Sequence, residues 1–306
     1  MRRAALLALT AVAGLVLSGC SHPPGTPEKP QVVVTTNILG DITKEVLGDQ
    51  AEVTTLMQPN ADPHSFEISA QQAALMGSAD LVVSNGLGLE EGLQQHLDRA
   101  AKAGAPVLAA GEVIDVVPYS SGDAERAPDP HFWTDPAAMI DVVDAVEGAA
   151  RDIDGIDPTK LASSAAAYRD KLTQLDTEMT GAFAAIPKER RALVTNHHVF
   201  GYLAKRFDFQ VVGAVIPRGG TTLAAPSAAD LRQLSEAIRG AGVPPTIFAD
   251  SSQPDRLVQV LANEAGVQVQ VAELFTESLT GPDGGAATYL DMMRANTERI
   301  VTGLKP

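Results

Sequence analysis

Six histidines occur in this chain of 306 residues, and three of them sit where a metal could be held. His64 lies in Asn60-Ala61-Asp62-Pro63-His64-Ser65-Phe66-Glu67. His131 lies in Asp129-Pro130-His131-Phe132-Trp133-Thr134-Asp135. His197 opens the pair His197-His198 in Val194-Thr195-Asn196-His197-His198-Val199-Phe200. Each follows a predicted strand or lies in a loop adjoining one. Three converging imidazoles would suit a borderline divalent ion such as zinc. A lone histidine is more often a satisfied core or surface residue, so the reading rests on three at equivalent topological points. His22 and His96 fall in polar stretches and read as solvated. Cys20 is the only cysteine, which excludes a disulfide within the chain and leaves no basis for a thiolate site.

Strands and helices must carry these loops, and their signals alternate. The β-branched run 31–37 predicts a buried strand, followed by a helix over 38–47 and a strand over 51–57. Ser69 and Gln72 have capping-box spacing for a helix that closes at Gly77. Strands at 81–84 and 107–109 flank a helix over 89–103. Asp135-Pro136 opens a helix running to about residue 152, with an acidic N-cap and proline at the first helical position. Asp157-Pro158 opens a longer one, with apolar residues Leu161, Ala165, Tyr168, Leu172, Leu175, Met179, Ala182 and Ile186 at steps of three and four. Beyond Pro187 come strands at 192–195, 211–216, 246–249 and 267–271. Helices are expected over 199–207, 228–239 (capped by Ser227), 254–265 and 289–304. The expected fold class is α/β: two lobes, each a parallel sheet flanked by helices, joined by one long rigid helix acting as a strut. The boundaries are 31–156, 157–187 and 188–306. In open parallel sheets ligands bind beyond the carboxyl ends of strands, which is where the three histidine loops fall.

At Pro63–Glu67, Asp129–Asp135 and Thr195-Asn196-His197-His198-Val199-Phe200-Gly201-Tyr202 the chain resembles metal-binding solute-binding proteins of ABC transporters, the zinc- and manganese-binding ZnuA/TroA/PsaA-like family. The likeness extends to the opening strand, Ala225–Leu231 and Ile247–Asp250, and covers residues 31–304 in the family's order. It implies two lobes with the metal between them, and His64, His131 and His197 as ligands. His198 becomes a neighbour near a helix start, hydrogen-bonded and partly exposed. The family's fourth ligand is usually an aspartate; the matching segment here, Glu273-Leu274-Phe275-Thr276-Glu277-Ser278-Leu279, has Glu277 instead. Asp250 is the fallback carboxylate, and its plainer reading is a cap for the helix after Pro254. A histidine at the His197 position accompanies zinc in the family and a glutamate accompanies manganese, so the expected cargo is Zn2+, with Mn2+ the alternative. The histidine-rich loop of many zinc members is missing from 118–128. Four protein ligands would leave no open coordination position, so no enzyme is expected. The implied partner is the ABC permease of the same uptake system, and a monomer is expected.

The N-terminus fits that setting. Arg2-Arg3, an apolar run over 4–17 and Leu17-Ser18-Gly19-Cys20 resemble a lipoprotein signal (residues 1–19), with Cys20 lipidated and anchored in the cell membrane, outside the cytoplasm. Residues 20–30 hold four prolines and read as a tether. The net charge of −15 argues against a nucleic-acid partner, which needs basic patches. A zinc-dependent hydrolase is the remote alternative from another class; neither HExxH nor GxSxG occurs. A surface adhesin is the other, and no sequence feature speaks for it.

Overall fold

Val32, Val33 and Val34 are shielded on both sides of the strand they form, as expected where helices cover both faces of a parallel sheet. The computed structural model describes residues 29–119, 126–216, 227–240, 246–251 and 270–305. The first lobe runs β1 (Gln31–Val34), α1 (Asn37–Leu47), β2 (Glu52–Thr55), α2 (Ala70–Gly77), β3 (Leu81–Ser84), α3 (Gln94–Ala103), β4 (Val107–Ala109) and α4 (Pro136–Ala150). Its four strands are all parallel, in the order β2-β1-β3-β4. The second lobe contains β5 (Ala192–Thr195), α6 (Gly201–Phe207), β6 (Gln210–Ala214), α7 (Ala228–Gly240), β7 (Thr246–Asp250), β8 (Gln270–Leu274) and α8 (Tyr289–Leu304). Its parallel order is β6-β5-β7-β8. The fold is therefore α/β with two like-ordered sheets. Order reverses between β1 and β3 in one sheet and between β5 and β7 in the other, and such switch points open crevices for ligands.

Between the lobes runs α5 (Pro158–Ala184), 27 residues and about 40 Å long at 1.5 Å per residue. Asp157 caps it by accepting from Thr159 N and Lys160 N. One face is buried: Leu161, Ala165, Tyr168, Leu172, Leu175, Met179 and Phe183. The expected buried position Ala182 is only half-buried. The step after Met179 is four rather than three, because Phe183 reaches across to the second lobe. Its ring sits edge-on to Phe207 at 5.1 Å and Phe209 at 5.0 Å between centroids. One continuous core joins α1, α4, α5, α6 and α8.

β1 ends at Val34 rather than Asn37 and β8 runs on to Leu274 rather than ending at Val271, and two expected helix starts also move. Residues 89–93 do not begin a helix: a single 3-10 turn occupies Glu91–Leu93. The Glu90 carboxylate accepts instead from Asn85 N at 2.7 Å and Gly86 N at 3.2 Å, which holds the loop after β3. Helix α6 begins at Gly201 rather than Val199, and Val199 and Phe200 are buried before it. The expected signal peptide, Cys20, most of the tether and the helix at 254–265 lie outside the described residues. No helix among the described residues is long and apolar enough to cross a membrane.

Candidate metal centre

The same tripeptide, Asp-Pro-His, delivers His64 and His131. Proline disfavours helical backbone at the residue before it. The aspartate carboxylate then accepts from the backbone N–H two residues on, making an Asx turn. Asp62 Oδ1 accepts from His64 N, and Asp129 Oδ1 from His131 N, both at 2.9 Å. The turns differ in one respect. Asp129 Oδ1 also lies 2.6 Å from His131 Nδ1, which makes Nδ1 the protonated nitrogen and leaves Nε2 free to donate its lone pair. His64 Nδ1 has no hydrogen-bond partner among the described residues. His197 follows β5 at the switch point, with its carbonyl accepting from Thr195 Oγ1 at 2.7 Å.

Glu277 closes the group from the loop after β8. Its Oε1 lies 2.8 Å from His64 Nε2, 3.1 Å from His131 Nε2 and 3.0 Å from His197 Nε2. His64 Nε2 and His131 Nε2 are 3.4 Å apart. Each of the four residues offers one donor atom within 4.8 Å of the others, and all four are buried. Burial by itself pushes an imidazole pKa down. The Glu277 carboxylate outweighs it for His64 and His197, and Asp129 together with Glu277 does so for His131, so all three are raised. Burial pushes Glu277 up, but the three imidazoles more than offset this and hold it well below the usual carboxylate range. The cluster thus holds an anion and attracts positive charge. A divalent cation there would displace the imidazole protons, so its binding would compete with acid.

Asp250 ends β7 and is buried, but it is not one of the four grouped residues. His198 departs from expectation: it is only 8% exposed rather than partly exposed. Its ring lies edge-on to Tyr119 with centroids 6.4 Å apart. Burial, with help from His197, lowers its pKa to about 4, so it is neutral at pH 7. Sequence reasoning did not single out Asp62 or Asp129, although the repeated Asp-Pro-His was a readable signal. The loop bearing Glu277 was matched, but what holds it was not legible.

Residues 32–303 match the family described as zinc-uptake complex component A, periplasmic. The chain is 30% identical over 299 residues to the zinc-binding protein TroA of Treponema pallidum, covering 94% of this chain and 95% of TroA. It is 27% identical to the iron-binding protein YfeA of Yersinia pestis, covering 99% of this chain and 96% of YfeA. It is 28% identical to the manganese ABC transporter substrate-binding lipoprotein PsaA of Streptococcus pneumoniae, covering 98% of each. The solved structure of the T. pallidum periplasmic zinc-binding protein superposes with a TM-score of 0.82 at 29% identity, over 91% of this chain and 100% of that one. Such proteins bind solutes rather than transform them. The chain belongs to the zinc-uptake component A family, the metal-binding solute-binding proteins of ABC transporters.

Proposed function

We propose that this protein captures Zn2+ outside the cytoplasm and hands it to the permease of its uptake system, with His64, His131, His197 and Glu277 as ligands. The observation that carries the reading is the buried set of three imidazole nitrogens and one carboxylate oxygen within 4.8 Å of one another. Three nitrogens and one oxygen suit zinc, which takes four ligands tetrahedrally, whereas manganese favours more oxygen. Lipidation of Cys20 after removal of residues 1–19 would anchor the protein, and the lipoprotein relative supports that placement. A second reading, Mn2+, draws support from the manganese relative, itself 28% identical.

Metal analysis of protein purified without added metal, followed by competition between Zn2+ and Mn2+, tests the choice. Zinc should co-purify and outcompete manganese. Zinc binding no tighter than micromolar would overturn the transport reading, and preferential retention of manganese would overturn the choice of metal.

A further inference from the structure

Glu277 comes from the C-terminal half of the chain, and Phe275 before it is still held by Asn296 of α8, yet Thr276, Ser278 and Leu279 beside it are bonded to the N-terminal lobe. Before it, Trp133 Nε1 donates to the Thr276 carbonyl at 2.8 Å. After it, the amide of Asn37 works in both directions. Its Oδ1 accepts from Leu279 N at 2.9 Å, and its Nδ2 donates to Ser278 Oγ at 2.8 Å and to the Gln58 carbonyl at 3.2 Å. The backbone N–H of Asn60 adds a bond to the Leu279 carbonyl at 2.9 Å. Thr276, Glu277, Ser278 and Leu279 are all buried, as is Asn37.

Asn37 is not needed where it stands for the sake of α1. The N-cap is Thr36, whose side chain accepts from Leu39 N. An amide can donate and accept from one planar group, which a carboxylate cannot do when ionised and a hydroxyl does over a shorter reach. His197 is held differently, by bonds inside its own lobe: Thr195 Oγ1 to its carbonyl, and Asn196 N to the Phe248 carbonyl at 3.1 Å.

We propose that Asn37 is a positioning residue for metal capture. It fixes the segment carrying Glu277 against the first lobe, so that His64, His131 and Glu277 form one preassembled set and His197 is the ligand supplied by the other lobe. This rests on the reading of those four residues as ligands. A glutamate has three rotatable side-chain bonds, so its oxygen is placed only as well as its backbone is held.

The test uses Co2+ as a spectroscopic probe and Zn2+ for affinity, on the full chain. Two variants serve: Asn37→Leu, close in shape but without polar atoms, and Asn37→Asp, which keeps the acceptor for Leu279 N–H and loses the donor. Both should weaken Zn2+ binding by about 10–100-fold, the usual effect of removing a residue that orients a ligand. Both should also change the Co2+ absorption bands in the direction that Glu277→Gln changes them. A folded variant with wild-type Co2+ bands and Zn2+ affinity, even if less stable to heat, would reduce Asn37 to a support of the fold and overturn the proposal. If Asn37→Leu does not fold, Asn37→Asp decides alone. A wild-type protein that takes up no Co2+, or a Glu277→Gln variant with unchanged bands, would instead overturn the ligand reading beneath it.

Discussion

Gly201 supplies no donor to the cluster, yet Gly201→Ala should damage metal binding. A methyl group at this position would lie 2.5 Å from Asp129 Oδ2, whereas ordinary contact begins near 3.4 Å. Either the carboxylate or the start of α6 must retreat by about 0.9 Å. Asp129 is constrained on its other side: Oδ1 accepts from His131 N at 2.9 Å and meets Nδ1 at 2.6 Å. Its carbonyl also accepts from the Tyr202 hydroxyl at 3.0 Å. A displacement of that size cannot leave the 2.6 Å contact intact: pushing the carboxylate toward His131 compresses it, and turning the carboxylate aside misaligns it. His131 would lose the partner that fixes its tautomer and ring plane. The expected loss is about 10–100-fold in Zn2+ affinity, or about 1.4–2.7 kcal/mol.

A competing effect has the opposite sign. Alanine favours helix over glycine by up to about 1 kcal/mol, and less at a first helical position. Against the strain of the overlap this leaves the metal-free variant melting close to or below wild type, while the additional stability conferred by zinc shrinks. Chelator competition at fixed pH gives the affinity, and melting with and without Zn2+ gives the stability. A folded Gly201→Ala protein with wild-type affinity would show that α6 yields instead, and that the Asp129–His131 contact does not depend on this glycine. Asp129→Asn, which removes the charge without adding volume, should give a loss of the same order.

Three further outcomes are expected. His64→Ala, His131→Ala and His197→Ala should each weaken zinc by more than the roughly 100-fold upper range for orienting residues, while His198→Ala should stay below about 10-fold; equal losses at His197 and His198 in titrations would refute the choice between them. Glu277→Gln should cost more affinity than Asp250→Asn, and the reverse order would move the fourth ligand to β7. Asp41, which accepts from Tyr289 N at 2.8 Å, has its pKa raised by burial from 3.8 to about 6. Its raised folded pKa means stability is lost as pH rises from about 4 through 6, by at most about 3 kcal/mol. Asp41→Asn should thus be more stable than wild type to urea at pH 7.5 and equal to it below pH 4, and a gap independent of pH would refute this.

Local signals were legible where they were chemically strong. The capping box of Ser69 and Gln72 forms as expected, with both of its bonds made. β3, β4, β5 and α8 fall at the expected residues. The misjudged helix bounds share a cause: apolar residues buried for tertiary reasons imitate helical ones. Val199 and Phe200 read as the start of α6 because they are apolar, but they are buried in the loop that turns His197 inward. Ala182 and Phe183 fit steps of three and four equally, and only packing on Phe207 and Phe209 decides between them. The cover of Tyr119 over His198 could not be read from spacing. The grouping of His64 with Glu277 joins residues 213 apart in sequence, which no periodicity reports; the family likeness was its only sequence signal.

The arrangement also bears on how one metal would be chosen. For any fixed set of nitrogen and oxygen donors, intrinsic affinity for zinc exceeds that for manganese. Selecting manganese would therefore need extra oxygen coordination and a larger site. Among the four grouped residues, Glu277 is the one that could supply it. Its Oε1 sits among the three imidazoles, and its Oε2 is buried with no hydrogen-bond partner among the described residues. In the zinc reading only Oε1 need bind, and four ligands complete a tetrahedron. Binding through both oxygens would raise the coordination number to five and favour the larger ion. The bonds of Asn37 and Trp133 to residues 276, 278 and 279 fix the backbone from which the carboxylate turns. The choice between metals thus passes through the orientation of one side chain, and variants that loosen this segment should shift the ratio of zinc to manganese affinity as well as lowering both.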